Sequence, residues 1–180
     1  MTGISTYVMG FRIIHILAGT FWAGSAVLFA FFVQPTAAGM GPAAAPFLNE
    51  LMTKRKALRA IVGAATFTVV AGLFLYWSAW HALGSFSAWI GTAPGKVMTI
   101  GGAAAIIAYF FGVQGTAPTF KKLSALGGTV AASGGPPTPE QGAEMGKLAA
   151  KMRFHARATA FLLIIAVFCM ATAREWGPGL

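Results

Sequence analysis

Residues 60–80 read AIVGAATFTVVAGLFLYWSAW, an uncharged run held between Arg59 and His81. Wound as an α-helix at 1.5 Å per residue, such a run is about 30 Å long, the thickness of bilayer hydrocarbon. It reads as a membrane span. Working outward, residues 97–117 form a second uncharged run that starts after Pro94, Gly95 and Lys96 and ends at Pro118. Residues 8–33 form another, broken only by Arg12 and His15 and stopped at Gln34 and Pro35, and residues 158–173 lie between Arg157 and Arg174. The expected fold is therefore all-α, an integral membrane bundle of four helices in one domain.

Composition agrees. Of 180 residues, 57% are hydrophobic and 9% charged, with a mean hydropathy of +0.71, whereas soluble domains carry about 25% charged residues. A water-soluble globule is excluded, and 15 Phe with 5 Trp exclude a solvated, disordered chain. The first apolar run is too long for a secretory signal, has no basic cluster before it and ends in no small-residue cleavage pattern, so a mature transmembrane helix is expected there.

The net charge of +9 would point to nucleic acid in a soluble protein, but here it is read as a topology signal. Ten of the thirteen basic residues fall in the segments 34–59 and 118–157: Lys54, Arg55, Lys56, Arg59, Lys121, Lys122, Lys147, Lys151, Arg153 and Arg157. Only Arg12, Lys96 and Arg174 remain for the other side. Basic residues accumulate in cytoplasmic loops, so both long loops are expected in the cytoplasm and both termini on the outer side of a bacterial inner membrane. Trp80, Trp89 and Trp176 would mark the outer interface.

Residues 36–46 are expected as a loop leading into an amphipathic approach over residues 47–58, and residues 127–137 as a flexible break. After that break, Thr138, Pro139 and Gln141 have the spacing of a hydroxyl N-cap, a first-turn proline and a reciprocal capping residue. The fourth helix should start there, well before it enters lipid. Ala60, Ala64, Thr68 and Gly72 in the second span, and Gly101, Ala105, Ala108, Gly112 and Gly115 in the third, form small-residue stripes that allow helices to approach closely in lipid.

Ionisable groups inside spans are costly and mark candidate sites. His15 lies about 10 Å inside the first helix, and Arg12, His15, Gly19 and Trp22 recur at spacings of three, four and three, on one helical face. An imidazole with a glycine one turn further on offers a ligand nitrogen beside a gap for a flat macrocycle, and haem iron is commonly held by histidine. Two other roles fit the same spacing: a hydrogen bond to a neighbouring helix, or snorkelling towards headgroups with Arg12. His81 ends the second span and Lys96 begins the third, both at the same membrane face as His15. Either could supply a second axial ligand, and Arg12, Lys96 or Arg174 could pair with propionates; equally, His81 and Lys96 suit ordinary interfacial positions. His155, at the opposite face, is read as interfacial.

Other chemistries find little support. The chain has no Asp, and Glu50, Glu140, Glu144 and Glu175 all lie outside the spans, which argues against a carboxylate proton relay. The lone Cys169 sits in an apolar run, so neither a disulfide framework nor a thiolate metal site is expected. The eight Met are scattered, a weak basis for a thioether copper path, and no phosphate-cradling glycine motif is present.

Residues 11–24, FRIIHILAGTFWAG, resemble the opening helix of the small four-span membrane proteins grouped with HemJ-type protoporphyrinogen oxidase and the membrane domain of CopD. The basic approach 52–56, MTKRK, and the lysine opening the third span are similar as well. The resemblance extends over about residues 8–117, and to the fourth helix only in general character. It implies a haem b on His15, the residue matching the histidine that binds haem in HemJ-type proteins, and a required lysine at Lys96. This chain lacks a proline-glycine-methionine step in the second span and carries a Gly/Pro-rich insertion before the fourth. The leading expectation is a haem b-binding membrane protein acting in electron transfer or haem-linked oxidation, as a small subunit of a larger complex or a homo-oligomer. The alternatives are protoporphyrinogen IX oxidation, a non-catalytic structural subunit and, last, copper import.

Overall fold

The computed structural model describes residues 2–177. Every element among them is helical, and four helices are long and apolar enough to cross a membrane, the mark of a multi-pass membrane protein. In chain order they are α1 (Thr6–Gly39), α3 (Ala57–Ala82), α5 (Ala93–Ala132) and α6 (Pro139–Trp176). Two short helices, α2 (Ala44–Asn49) and α4 (Phe86–Gly91), lie in the connections.

The long helices run past the prolines at which the sequence suggested they would stop. Proline lacks an N–H and its ring collides with the carbonyl four residues earlier, so an unbroken α-helix should fail at Pro35 and Pro118. In both cases the chain rewinds first. Phe29–Val33 and Phe110–Thr116 are π-helical, and the residue before each proline donates its N–H to the carbonyl five residues back, Gln34 to Phe29 and Ala117 to Gly112. Each proline then occupies the first turn of a fresh α segment, where no N–H is needed.

The segment expected as a loop, 36–46, is likewise mostly wound: α1 runs to Gly39 and a 3₁₀ turn covers Gly41–Ala43. The approach to α3 is interrupted rather than continuous. A π turn, Glu50–Lys54, follows α2, and Lys56 adopts a left-handed conformation, φ 59°, which redirects the chain into α3. The helix starts obey simple capping rules. Ser85 caps α4 through the Ala88 N–H, and Thr92 caps α5 through the Gly95 N–H at 3.0 Å. At α6, Thr138 and Gln141 form the reciprocal box that the sequence predicted.

The bundle consists of two antiparallel hairpins, α1 with α3 and α5 with α6, docked to each other through α1–α6 and α3–α5 contacts. The first and last described residues lie at one end of the bundle, here the terminal end; the 34–59 and 118–157 segments lie at the other, the loop end. Midway, Trp22, Ala65, Ala108 and Leu163 pack together; towards the loop end, Phe29, Met52, Phe120, Met152 and Ala156 form a second cluster. In lipid this packing depends on close approach rather than on expulsion of apolar groups from water. Gly101 shows it: a Cβ there would lie 2.8 Å from Cys169 Cβ and 3.2 Å from the Ala166 carbonyl. Two hydroxyl pairs join α3 to α5, Tyr76 Oη with Thr99 Oγ1 at 2.6 Å and Thr66 Oγ1 with Tyr109 Oη at 3.2 Å; such contacts contribute about 0.6 kcal/mol each in membrane proteins. Trp80, Trp89 and Trp176 all gather at the terminal end.

Candidate functional site: the His15 notch

Along α1 the face Arg12, His15, Gly19, Trp22 turns steadily inward. Arg12 is exposed, His15 and Gly19 are half-buried, and Trp22 is 2% exposed, its ring edge-on to Tyr109 with centroids 6.4 Å apart. Opposite this face α3 supplies Thr68 and Gly72, two members of its small-residue stripe. The Thr68 methyl would lie 3.3 Å from a Cβ on Gly19. A Cβ on Gly72 would lie 2.8 Å from His15 Cε1 and 3.1 Å from Nδ1. The imidazole therefore rests on bare α3 backbone, in a notch that only glycine leaves open.

The same contact fixes the ring's protonation pattern. His15 Nδ1 is 2.8 Å from the Thr68 carbonyl oxygen, and a carbonyl only accepts, so Nδ1 carries the hydrogen. In the neutral ring the lone pair is then on Nε2. Thr68 is itself held, its hydroxyl donating to the Ala64 carbonyl at 2.7 Å. The ring has one nitrogen occupied and the other available to a Lewis acid or a donor, the arrangement seen around metal-ligating histidines.

The remaining predicted residues lie further towards the terminal end. His81 is exposed, stacked on Trp77 at 5.1 Å and edge-on to Trp80 at 5.6 Å. It comes nine residues after Gly72, about 13 Å along the helix, whereas two imidazoles sharing one metal need bonds of about 2 Å each. His15 and His81 are not brought together. Lys96 is exposed in the first turn of α5; the Tyr76–Thr99 contact puts it at a height similar to that of His81, beyond the His15 notch. Arg174 is exposed at the end of α6. Cys169 is buried against Gly101, and no group of three His, Cys, Asp or Glu is placed to hold a metal ion among the described residues.

The interior offers little room. A cavity of about 60 Å³, lined by Trp22, Phe29, Ile61, Thr116 and Phe120 among others, lies on the loop side of Trp22 and does not reach His15. That is space for about two waters, far short of the 300 Å³ or more of an organic-ligand pocket. A shallow apolar groove between α1 and α6, with Gly24, Phe32 and Phe168 in its walls, is open along its length.

A second histidine, taken from the sequence as merely interfacial, is built in a similar way. His155 of α6 lies against Gly115 of α5, where a Cβ would meet Nδ1 and lie 2.9 Å from Cε1. Phe111 and Phe154 flank it with centroids 5.6 and 5.8 Å away. Here the ring nitrogen facing the notch finds no carbonyl: His155 Nδ1 is buried without a hydrogen-bond partner. Gln34, 6% exposed, has both amide atoms in the same condition. The glycine stripe of the third span contained the signal for His155, since a glycine facing a ring residue marks a seat; Gln34 stood in the sequence only as the residue that ended a span.

Comparison of the chain with protein-family profiles, with curated proteins and with solved structures finds no match.

Proposed function

We propose that this chain is a haem b-binding membrane protein with His15 as an axial ligand through Nε2. The observation that carries the reading is the bond from His15 Nδ1 to the Thr68 carbonyl, which sets the tautomer and aims the ring. The donor fits iron; the packed interior does not admit a macrocycle. His15, half-buried at the edge of that packed interior, would hold the iron, and Arg12, exposed one turn earlier on α1, would pair with a propionate. Gly72 and Thr68 hold the ligand ring still, and Trp22 closes the core beneath it. When bound, the haem supplies one-electron redox chemistry at its iron. Electron transfer or a haem-linked oxidation follows, with protoporphyrinogen IX oxidation as the narrower alternative. The basic excess at the loop end supports a cytoplasmic position for that end and a bacterial inner-membrane location with both termini outside.

The small interior cavity favours one other reading, a structural subunit that binds no cofactor and stabilises a membrane assembly. A visible spectrum of the purified chain separates the two. A Soret band lost in His15→Ala supports the haem protein; a colourless, folded chain supports the structural subunit.

A further inference from the structure

The loop end carries charge in a pattern that the haem reading does not use. Of its ten basic residues, Lys54 and Arg55 pair with Glu50 at 3.1 and 3.0 Å. The other eight, Lys56, Arg59, Lys121, Lys122, Lys147, Lys151, Arg153 and Arg157, are exposed and have no carboxylate partner among the described residues. Eight exposed like charges near one another repel each other and attract anions.

Their height is fixed by the core beneath them. Leu58, Phe120, Leu123, Met152 and Ala156 share one hydrophobic cluster, and the cations are for the most part neighbours of these residues in α3, α5 and α6. They flank the loop ends of three of the four spans, α3, α5 and α6, and on α6 they extend over about 15 Å, from Lys147 to Arg157. There Lys147 and Lys151 share one flank, Arg153 and Arg157 another, because residues two apart on a helix point in nearly opposite directions. Measured down α5, the uncharged stretch from Lys96 to Lys121 spans roughly 35 Å, between the hydrocarbon thickness of a bilayer and its full thickness with headgroups. The cations beside the span ends thus sit at headgroup depth.

Carboxylates are few here: Glu50 is taken up by Lys54 and Arg55, and Glu144 is one turn from Lys147 but makes no ion pair with it among the described residues. α5 continues about 15 Å beyond Lys122 to Ala132, and Glu140 and Glu144 lie at the far tip of the α5–α6 hairpin, Glu140 in the first turn of α6. The terminal end is built differently, with three cations and three tryptophans.

We infer that the loop-end cations bind anionic phospholipid headgroups, whose phosphates match them in charge and in depth. The cations stand directly beside the ends of apolar spans, where lipid phosphates lie. Clustered Lys and Arg next to membrane spans are attracted to anionic leaflets.

The test measures association of spin-labelled phosphatidylglycerol and phosphatidylcholine with the full chain in phosphatidylcholine vesicles. The inference expects phosphatidylglycerol to be preferred by at least about threefold, with the preference largely abolished near 1 M salt, where the screening length falls to about 3 Å. It expects the same loss in Lys121→Gln/Lys122→Gln/Lys147→Gln/Lys151→Gln, and little change in Arg12→Gln/Lys96→Gln/Arg174→Gln. Should the fourfold variant fail to fold, Arg153→Gln/Arg157→Gln and the salt titration of the unaltered chain carry the test. Equal association of the two lipids, or a preference indifferent to salt and to the loop-end substitutions, overturns the inference. So does displacement of the anionic lipid by a polyglutamate peptide or an oligonucleotide at equal charge, which would assign these cations to a macromolecule.

Discussion

The Nδ1 of His15 lies 2.8 Å from the carbonyl oxygen of Thr68, and this bond couples the imidazole of α1 to the backbone of α3. It exists only because Gly72, one turn after Thr68, leaves the ring room to lie against the helix. Four expectations follow from this and the neighbouring contacts, and they involve separate residues.

Gly72→Ala places a methyl 2.8 Å from His15 Cε1 and should destabilise the bundle by about 1–3 kcal/mol, the usual cost of overpacking. The partner of the clash is a single side chain, so His15→Ala should relieve most of that cost. A double-mutant cycle on thermal or denaturant unfolding in detergent measures it; additive effects would mean that the ring does not occupy the notch.

At the other end of the bundle the balance differs, because His155 Nδ1 is buried and unpartnered. Replacing an unsatisfied polar group by an apolar one of similar volume is close to neutral or stabilising. His155→Leu should therefore melt within about 1 kcal/mol of the unaltered chain, whereas Gly115→Ala, which drives a methyl into the ring, should cost about 1–3 kcal/mol. A large loss in His155→Leu would show that the imidazole has a partner after all.

Gly101→Ala tests the second hairpin alone. Its new Cβ would lie 2.8 Å from Cys169 Cβ and 3.2 Å from the Ala166 carbonyl, and the backbone cannot give way as a long side chain can. Cys169 should become more accessible as α5 and α6 part. Maleimide labelling of Cys169, slow in the unaltered chain, should accelerate several-fold in the variant; an unchanged rate would count against close α5–α6 contact at this level.

The start of α6 should respond to acid. Hydrogen bonds from its own backbone N–H, then from the Thr138 side chain, hold the Glu140 carboxyl below the usual carboxylate range. A depressed folded-state pKa gives stability that is present at neutral pH and is lost as pH falls through the unfolded and then the folded value. The first turns of α6 should fray below about pH 4.5, and amide protection factors there, taken relative to the intrinsic exchange rate at each pH, should fall while those of the apolar part of α6 are unaffected. Thr138→Ala should produce similar fraying at neutral pH, through loss of the cap. Equal protection factors at both pH values would remove the role assigned to Glu140.

How far these features could be read from the sequence depends on the range of the physics involved. The four apolar runs and the Thr138–Gln141 cap are local patterns, and they reappear in the structure as α1, α3, α5 and α6. Helix ends were harder to read, because Pro35 and Pro118 break an α-helix only if the preceding turn is α, and residues 29–33 and 110–116 carry no pattern that announces a π turn. The break at Lys56 was hidden because a lysine gives no sign of a left-handed conformation. Of the site, the face Arg12, His15, Gly19, Trp22 was visible from spacing; its partner was not, since nothing in residues 8–33 says that Thr68 and Gly72 lie opposite. The separation of His15 from His81 required the register between two helices, and so did the seat of His155 on Gly115.

The most direct test of the account is the visible absorption spectrum of the full chain purified from haem-replete cells, beside that of His15→Ala shown by circular dichroism to be folded. The account predicts a Soret band in the unaltered chain that shifts on reduction and is absent from His15→Ala. A colourless chain, or a haem spectrum that His15→Ala leaves unchanged, would contradict it.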